Sequence, residues 1–307
     1  MYFYHMYGLT IKSTFALPEA VACEPVEEPD VFLELGNPPK KDLEDAKAGK
    51  ICRLEKEVAW FYLKDWGMFY VEYGNHIIVW KESELLTDLS RNSYVTGTTM
   101  GLLMFQREMI PIHCGAVEKN GVCIFLVGNS GSGKSTTTVE LREKGCRFVS
   151  DDVAAVNIMD GKVMVSPSFP QQKLCRDAAL RQGYVLEELI YIDENRDKYA
   201  VRLKDRYVTK ELPLAMIVEL QPSDEEKLSI CEIRGLDKIK LLYRNIYRGY
   251  VWNEMGMSQQ VQENILSIAR QVPMYVCKRP RKGFYAEQIS NWVMEKAGAL
   301  VSEKAGM

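Results

Sequence analysis

An apolar, strand-like run, VCIFLV, leads directly into Gly128-Asn129-Ser130-Gly131-Ser132-Gly133-Lys134-Ser135, and a helix-like stretch, STTTVELREKG, follows at once. Few folds accept that succession. A buried strand, a glycine-rich loop and a helix opening on Lys-Ser-Thr fit an α/β layered sheet with the loop at a strand's carboxyl end. The glycines let the backbone curl until successive N–H groups face one anion, and the helix adds the positive end of its dipole. The expected ligand is therefore ATP or GTP with Mg2+. Residues Gly128 through Thr136 form the cradle, with Lys134 reaching the β- and γ-phosphates and Ser135 ligating magnesium. A glycine-rich turn matching by chance is the poorer reading, because the flanking strand and helix are both present.

The next strand-like run, CRFVS, ends at Asp151-Asp152. Ligands of open α/β sheets sit beyond the strands' carboxyl ends, so acidic residues there can face the γ-phosphate. One carboxylate can join the magnesium shell while the other takes a proton from an attacking hydroxyl. A solvated turn is the competing reading, and the cradle just upstream favours chemistry.

Around this centre the chain changes character. From Tyr2 to Trp80 short aromatic and β-branched runs (FYHMYGLTI, VFLEL, VAWFYL, MFYVEY, HIIVW) predict a β-rich domain. The intervening GNPPKKDLEDAKAGK reads as an exposed connection. A helix is predicted from near Thr96 to Glu108, and the boundary is placed just before it, giving domains 1–92 and 93–307. Beyond it, AAVNIMDGKVMV reads as a hairpin, LAMIVEL, KLSICEI and PMYVCKR as strands, and LDKIKLLYRNIY, SQQVQENILSIAR and YAEQISNWVMEKAG as helices.

With 39 basic and 42 acidic residues the chain has no basic excess for a nucleic-acid backbone, so no nucleic-acid partner is expected. Its eight cysteines show no metal-ligand spacing and read as reduced thiols, and no apolar run is long enough to span a membrane. A cytoplasmic location is the expectation.

The segment Ile112 to Val156, with its IHCGAV strand, its GNSGSGKS cradle and its run ELREKGCRFVSDD, resembles the HPr serine kinase/phosphorylase family and related kinases associated with peptide modification. YGLTIKS, GTTMGLLMFQREMIPIHCGAV and SPSFPQQKLCRDAAL look like outer motifs of those related kinases. The resemblance implies a P-loop kinase core of the HPr kinase/PEP carboxykinase-like type beneath the β-rich N-terminal domain. It implies ATP-dependent phosphorylation of a serine on a protein or peptide partner, a ribosomally made peptide being one such partner. By the same likeness Asp151 is the general base, Asp152 supports magnesium, and His113 falls on the family's histidine near the transferring phosphate. A packed structural histidine is an equally good reading of His113. The resemblance also admits an oligomer.

In the HPr enzymes an EIRG-like motif associated with phosphorolysis lies shortly after the aspartate pair. Here it occurs only at Glu232–Gly235, far downstream, which favours the forward reaction. Lys173, Lys198 and Arg202 are candidates to neutralise phosphate charge, the latter two in DKYAVRLKDR, which reads as a mobile polar stretch able to cover substrate; solvated charges are as good a reading. The RPRKG run from Arg279 reads as a basic surface turn. Two other classes stay open: a small-molecule kinase, although such enzymes usually show Asp-x-Asp, and a nucleotide-gated peptide-binding module without transfer.

Overall fold

The computed structural model describes residues 1–192, 197–203 and 206–305. Two compact units emerge: Met1–Pro111 with Ile246–Glu263, and Ile112–Asn245 with Asn264–Met307. The helical segments around residues 88–106 thus belong to the first unit, whereas the change in sequence character placed 93 onward in the second. Composition marks where strand patterns stop; packing partners decide where a helix belongs. Here Phe105 meets Trp252 edge-on at 4.8 Å within the first unit.

The first unit holds an eight-stranded sheet in the order Val21–Ala22, Tyr2–Met6, Leu9–Ser13, Val31–Leu35, His76–Lys81, Gly67–Glu72, Val58–Leu63, Cys52–Leu54. The run FYHMYGLTI is two strands, because Tyr7 and Gly8, at φ 58° and 75°, make a tight two-residue hairpin turn. Tyr7 is buried, and its hydroxyl donates to the Thr96 carbonyl at 2.9 Å. The stretch read as a connection contains a helix, Lys40–Lys47, that buries Ala46 and Asp42. Trp60 Nε1 donates to Asp42 Oδ1 at 2.8 Å, and Arg53 Nη1 donates to the same oxygen at 3.1 Å, which anchors that helix to the sheet. The helix expected at 96–108 is the end of a longer helical run: Asp88–Tyr94, a wider π-type turn over Val95–Thr99, then Met100–Gln106.

The second unit is built on three parallel neighbours, Val122–Val127, Leu212–Ser223 and Met274–Pro280. Cys114–Lys119 runs antiparallel to the first of them, and Arg147–Asp151 runs antiparallel to Cys114–Lys119. The hairpin Ala154–Met159/Lys162–Ser166 forms as expected, turning on Asp160-Gly161 with both residues at positive φ. Helices Lys134–Glu143 and Ala286–Ala305 pack beside the sheet, where Val117, Leu126, Leu141, Val218, Ile289 and Val293 share one core.

DKYAVRLKDR contains a strand, not a loose stretch: Lys198–Arg202 lies between Gln171–Cys175 and Ile190–Ile192 in a small antiparallel sheet, with Tyr199, Ala200 and Val201 buried. The short apolar run YAV, with its aromatic and β-branched ends, was the available signal. Lys204 and Asp205 of that run lie outside the described residues. All eight cysteines are unpaired, and no described helix is long and apolar enough to cross a membrane.

Candidate active site

Strand direction explains why distant residues meet. Val122–Val127 and Arg147–Asp151 both end at the same edge of the sheet, while Cys114–Lys119 between them begins there: Cys114 faces Val127 and Gly115 faces Asp151. His113, the glycine-rich loop and the aspartate pair therefore line one cleft of about 720 Å³, a size suited to a small-molecule ligand.

Backbone sterics fix the loop. Gly128 sits at φ 131°, and a β-carbon there would stand 2.5 Å from the Leu220 carbonyl oxygen. Gly133, at φ 106°, immediately precedes the helix that opens on Lys134. The Lys134 ammonium donates to the carbonyls of Gly128 at 2.6 Å and Asn129 at 3.2 Å, and burial lowers its pKa against the opposing pull of Asp151. Ser132 Oγ is buried inside the loop with no hydrogen-bond partner among the described residues, as suits a cradle built for a polar guest. Gly115 leaves room for the helix: a β-carbon there would fall 2.4 Å from Thr138 Oγ1.

The two aspartates are neighbours with opposite tendencies. Burial pushes Asp151 up to about 6, assisted by the charge of Asp152 and opposed by the Lys173 N–H, which donates to its Oδ2 at 2.8 Å, and by the Lys173 and Lys198 charges. Burial would raise Asp152 too, but there it is outweighed by the hydrogen bond from His113 and the charges of Lys173, His113 and Lys198, so its carboxyl stays well below the usual range. His113 Nδ1 lies 2.8 Å from the Asp152 carbonyl oxygen and 3.2 Å from its Oδ1, and Lys173 Nζ lies 3.6 Å from Oδ2. Asp152 itself adopts φ 73°, so its backbone turns back after the strand and both carboxylates reach the cleft. One acid poised to accept a proton near neutrality beside one held ionised is a division of labour suited to acid–base chemistry at an anion site.

No protein-family model matches the chain. The HPr kinase/phosphorylase of Clostridium beijerinckii is 31% identical over 96 residues, covering 31% of this chain and 30% of that protein. That of Lactobacillus johnsonii is 34% identical over 88 residues, covering 27% of this chain and 28% of that protein. The chain carries an HPr kinase-like segment. It spans less than a third of the length of either relative. Among solved structures, the Hpr(Ser) kinase/phosphatase from Coxiella burnetii matches 61% of this chain and 95% of its own at a TM-score of 0.32 and 13% identity, too slight a likeness to carry an argument.

Of the basic candidates, Lys173 and Lys198 line the cleft and Arg202 does not. Lys198 and Arg202 share a face of their strand, yet four residues carry the chain about 13 Å along a strand. Arg202 is exposed opposite Gln171, beyond the cleft. The EIRG-like run also lies elsewhere, with Arg234 86% exposed at the end of the strand Ser229–Ile233.

Three contributors escaped the sequence. Asn245 Oδ1 accepts from the Gly128 N–H at 3.0 Å, and its carbonyl accepts from the His113 N–H at 2.8 Å, so one residue ties the loop's entry to the histidine. Its Nδ2 donates to Glu219 Oε1 at 3.2 Å. Buried Glu219 is kept ionised against the cost of burial by hydrogen bonds from Arg244 and Asn245. A lone acid in the apolar run LAMIVEL was the available signal for Glu219. The third is Arg279, the first residue of the basic turn, which points inward to the loop.

Proposed function

We propose that the protein is an ATP-dependent kinase that transfers the γ-phosphate to a serine hydroxyl of a protein or peptide. The observation that carries this reading is the pair of adjacent carboxylates, one raised to about 6 and one held ionised, in the cleft that the glycine-rich loop lines. Asp151 takes the hydroxyl proton, the acceptor oxygen bonds to the γ-phosphorus, and the bond to the β,γ-bridging oxygen breaks to release ADP. Lys134 leaves its two loop carbonyls for the β- and γ-phosphates, and Lys173 and Lys198 add positive charge beside the aspartate pair. His113 holds Asp152 ionised and oriented.

The donors present suit Mg2+, which takes one or two protein oxygens and completes its shell with phosphate and water: the Ser135 hydroxyl and the Asp152 carboxylate both line the cleft. When bound there, magnesium would neutralise charge across the β- and γ-phosphates. The absence of an EIRG-like segment from the cleft supports the forward direction over phosphorolysis.

The test is incubation of the protein, magnesium and γ-labelled ATP with a size-fractionated, heat-treated extract of the source organism, with Asp151→Asn as control. Acid-stable label in a protein or peptide fraction, lost in the variant, is the expected result, and its size separates a folded protein acceptor from a short peptide. Label confined to metabolites would overturn the acceptor class. Nucleotide binding with no transfer to any fraction would overturn the enzyme.

A further inference from the structure

The basic turn Arg279–Gly283 reads from sequence as a solvated surface feature, and two of its residues fit that description: Arg281 pairs with exposed Asp224 at 2.8 Å and Lys282 is exposed. Arg279 behaves differently. Its Nε donates to the Ser132 carbonyl at 2.7 Å, its Nη2 to the Gly131 carbonyl at 3.2 Å and its Nη1 to the Pro280 carbonyl at 3.2 Å. It makes no ion pair with a carboxylate among the described residues, so the guanidinium spends its donors on neutral oxygens beside the loop. The backbone that carries this side chain is held in place, since its strand pairs in parallel with Leu212–Ser223 and the Arg281 N–H donates to the Ser223 carbonyl at 3.2 Å.

A loop that binds an anion must turn its N–H groups inward, which turns its carbonyls outward, where each needs a donor. Gly131 at φ 79° and Gly133 at φ 106° are backbone conformations that nothing in a glycine's own side chain can hold. At the loop's entry the Asn245 side chain ties down Gly128. At its tip the donors come from Arg279, whose planar fork spans two consecutive carbonyls as a single ammonium cannot.

We infer that Arg279 is a positioning residue for nucleotide: its guanidinium braces the Gly131 and Ser132 carbonyls so that the loop's N–H groups are preset for the β-phosphate. This rests on the reading of the loop as a phosphate cradle, but not on the identity of the acceptor. Without the brace the loop must be ordered by the nucleotide itself, and affinity falls by that ordering cost. Once nucleotide is bound the loop reaches the same geometry, so the effect lies in affinity and KM rather than in kcat.

The experiment measures affinity for Mg-ADP by calorimetry, and KM and kcat for Mg-ATP, in the parent, Arg279→Lys and Arg279→Ala, alongside melting of the nucleotide-free proteins. Both variants are expected to bind ADP roughly tenfold or more weakly. Melting should stay close to the parent, and kcat at saturating ATP within a few-fold of it. Full affinity in Arg279→Lys with loss only in Arg279→Ala would show that charge alone matters and overturn the brace. Affinity lost only in step with melting would reduce Arg279 to a structural residue, which also overturns it. Unchanged affinity in both variants sinks the inference while leaving the cradle intact; a parent that binds no nucleotide sinks both.

Discussion

Two aspartates, one in each unit, are treated in opposite ways. Asp42 lies against the eight-stranded sheet of the first unit, 5% exposed, and a buried indole and a guanidinium both donate to it. Asp151 stands at the end of a strand in the second unit, where one backbone N–H at 2.8 Å serves its Oδ2 and burial leaves its carboxyl raised to about 6. Two of the three histidines divide likewise. His76 has Glu72 at 2.9 Å on one ring nitrogen and Glu34 at 3.0 Å on the other, a cross-strand tie on a sheet face. His113 lines the cleft and holds a carboxylate that also faces it. Partners spent on satisfying a buried group give stability; partners withheld at a strand's end leave a group able to react.

The largest effect that would break this contrast is on transfer. Asp151→Asn should lower the transfer rate by roughly 10²- to 10⁴-fold while nucleotide binding persists. Because an ionised carboxylate is disfavoured at this position, the variant should melt no lower than the parent at pH 7; a clear drop in melting would mean that Asp151 is a structural partner like Asp42.

The pH profile sharpens the same point. A carboxyl raised from 3.8 to about 6 is base-competent only above that pH, so kcat/KM should climb through a midpoint near 6 and level off beyond it. Well below the midpoint it should fall by about tenfold per pH unit. The matching stability term has the opposite sense: the cost of burying this charge is present above pH 6 and is relieved as pH falls toward 4. A limb near the ordinary carboxylate value would assign the base elsewhere.

Asp42→Ala should do the converse, leaving transfer unchanged and lowering stability by about 1–3 kcal/mol in urea unfolding, since Trp60 keeps a buried donor without an acceptor. A kinetic effect as large as that of Asp151→Asn would end the comparison. The smallest effect is at Gly115, where Gly115→Ala presses a methyl toward Thr138 Oγ1 and should cost about 1 kcal/mol. Adding Thr138→Ala should recover part of it, because the two sites are in contact.

The glycine-rich loop, the strand before it, the helix after it and the Asp160-Gly161 hairpin were legible in the sequence because each is decided within a few consecutive residues. Turn dihedrals and amide direction are local properties, and glycine at 128, 131 and 133 declares them. The aspartate pair was legible for a related reason, as it ends the next strand in a regular alternation of elements. The tertiary structure alone decided that Lys198 enters the cleft and Arg202 stops short of it, that Asn245 and Arg279 hold the loop, and that GNPPKKDLEDAKAGK hides a helix anchored by Trp60. Each of those facts is a hydrogen bond or a placement between residues far apart in the chain. A polar side chain carries no local mark of the partner it will find, so burial, charge and position there follow from strand order, which sequence pattern does not encode.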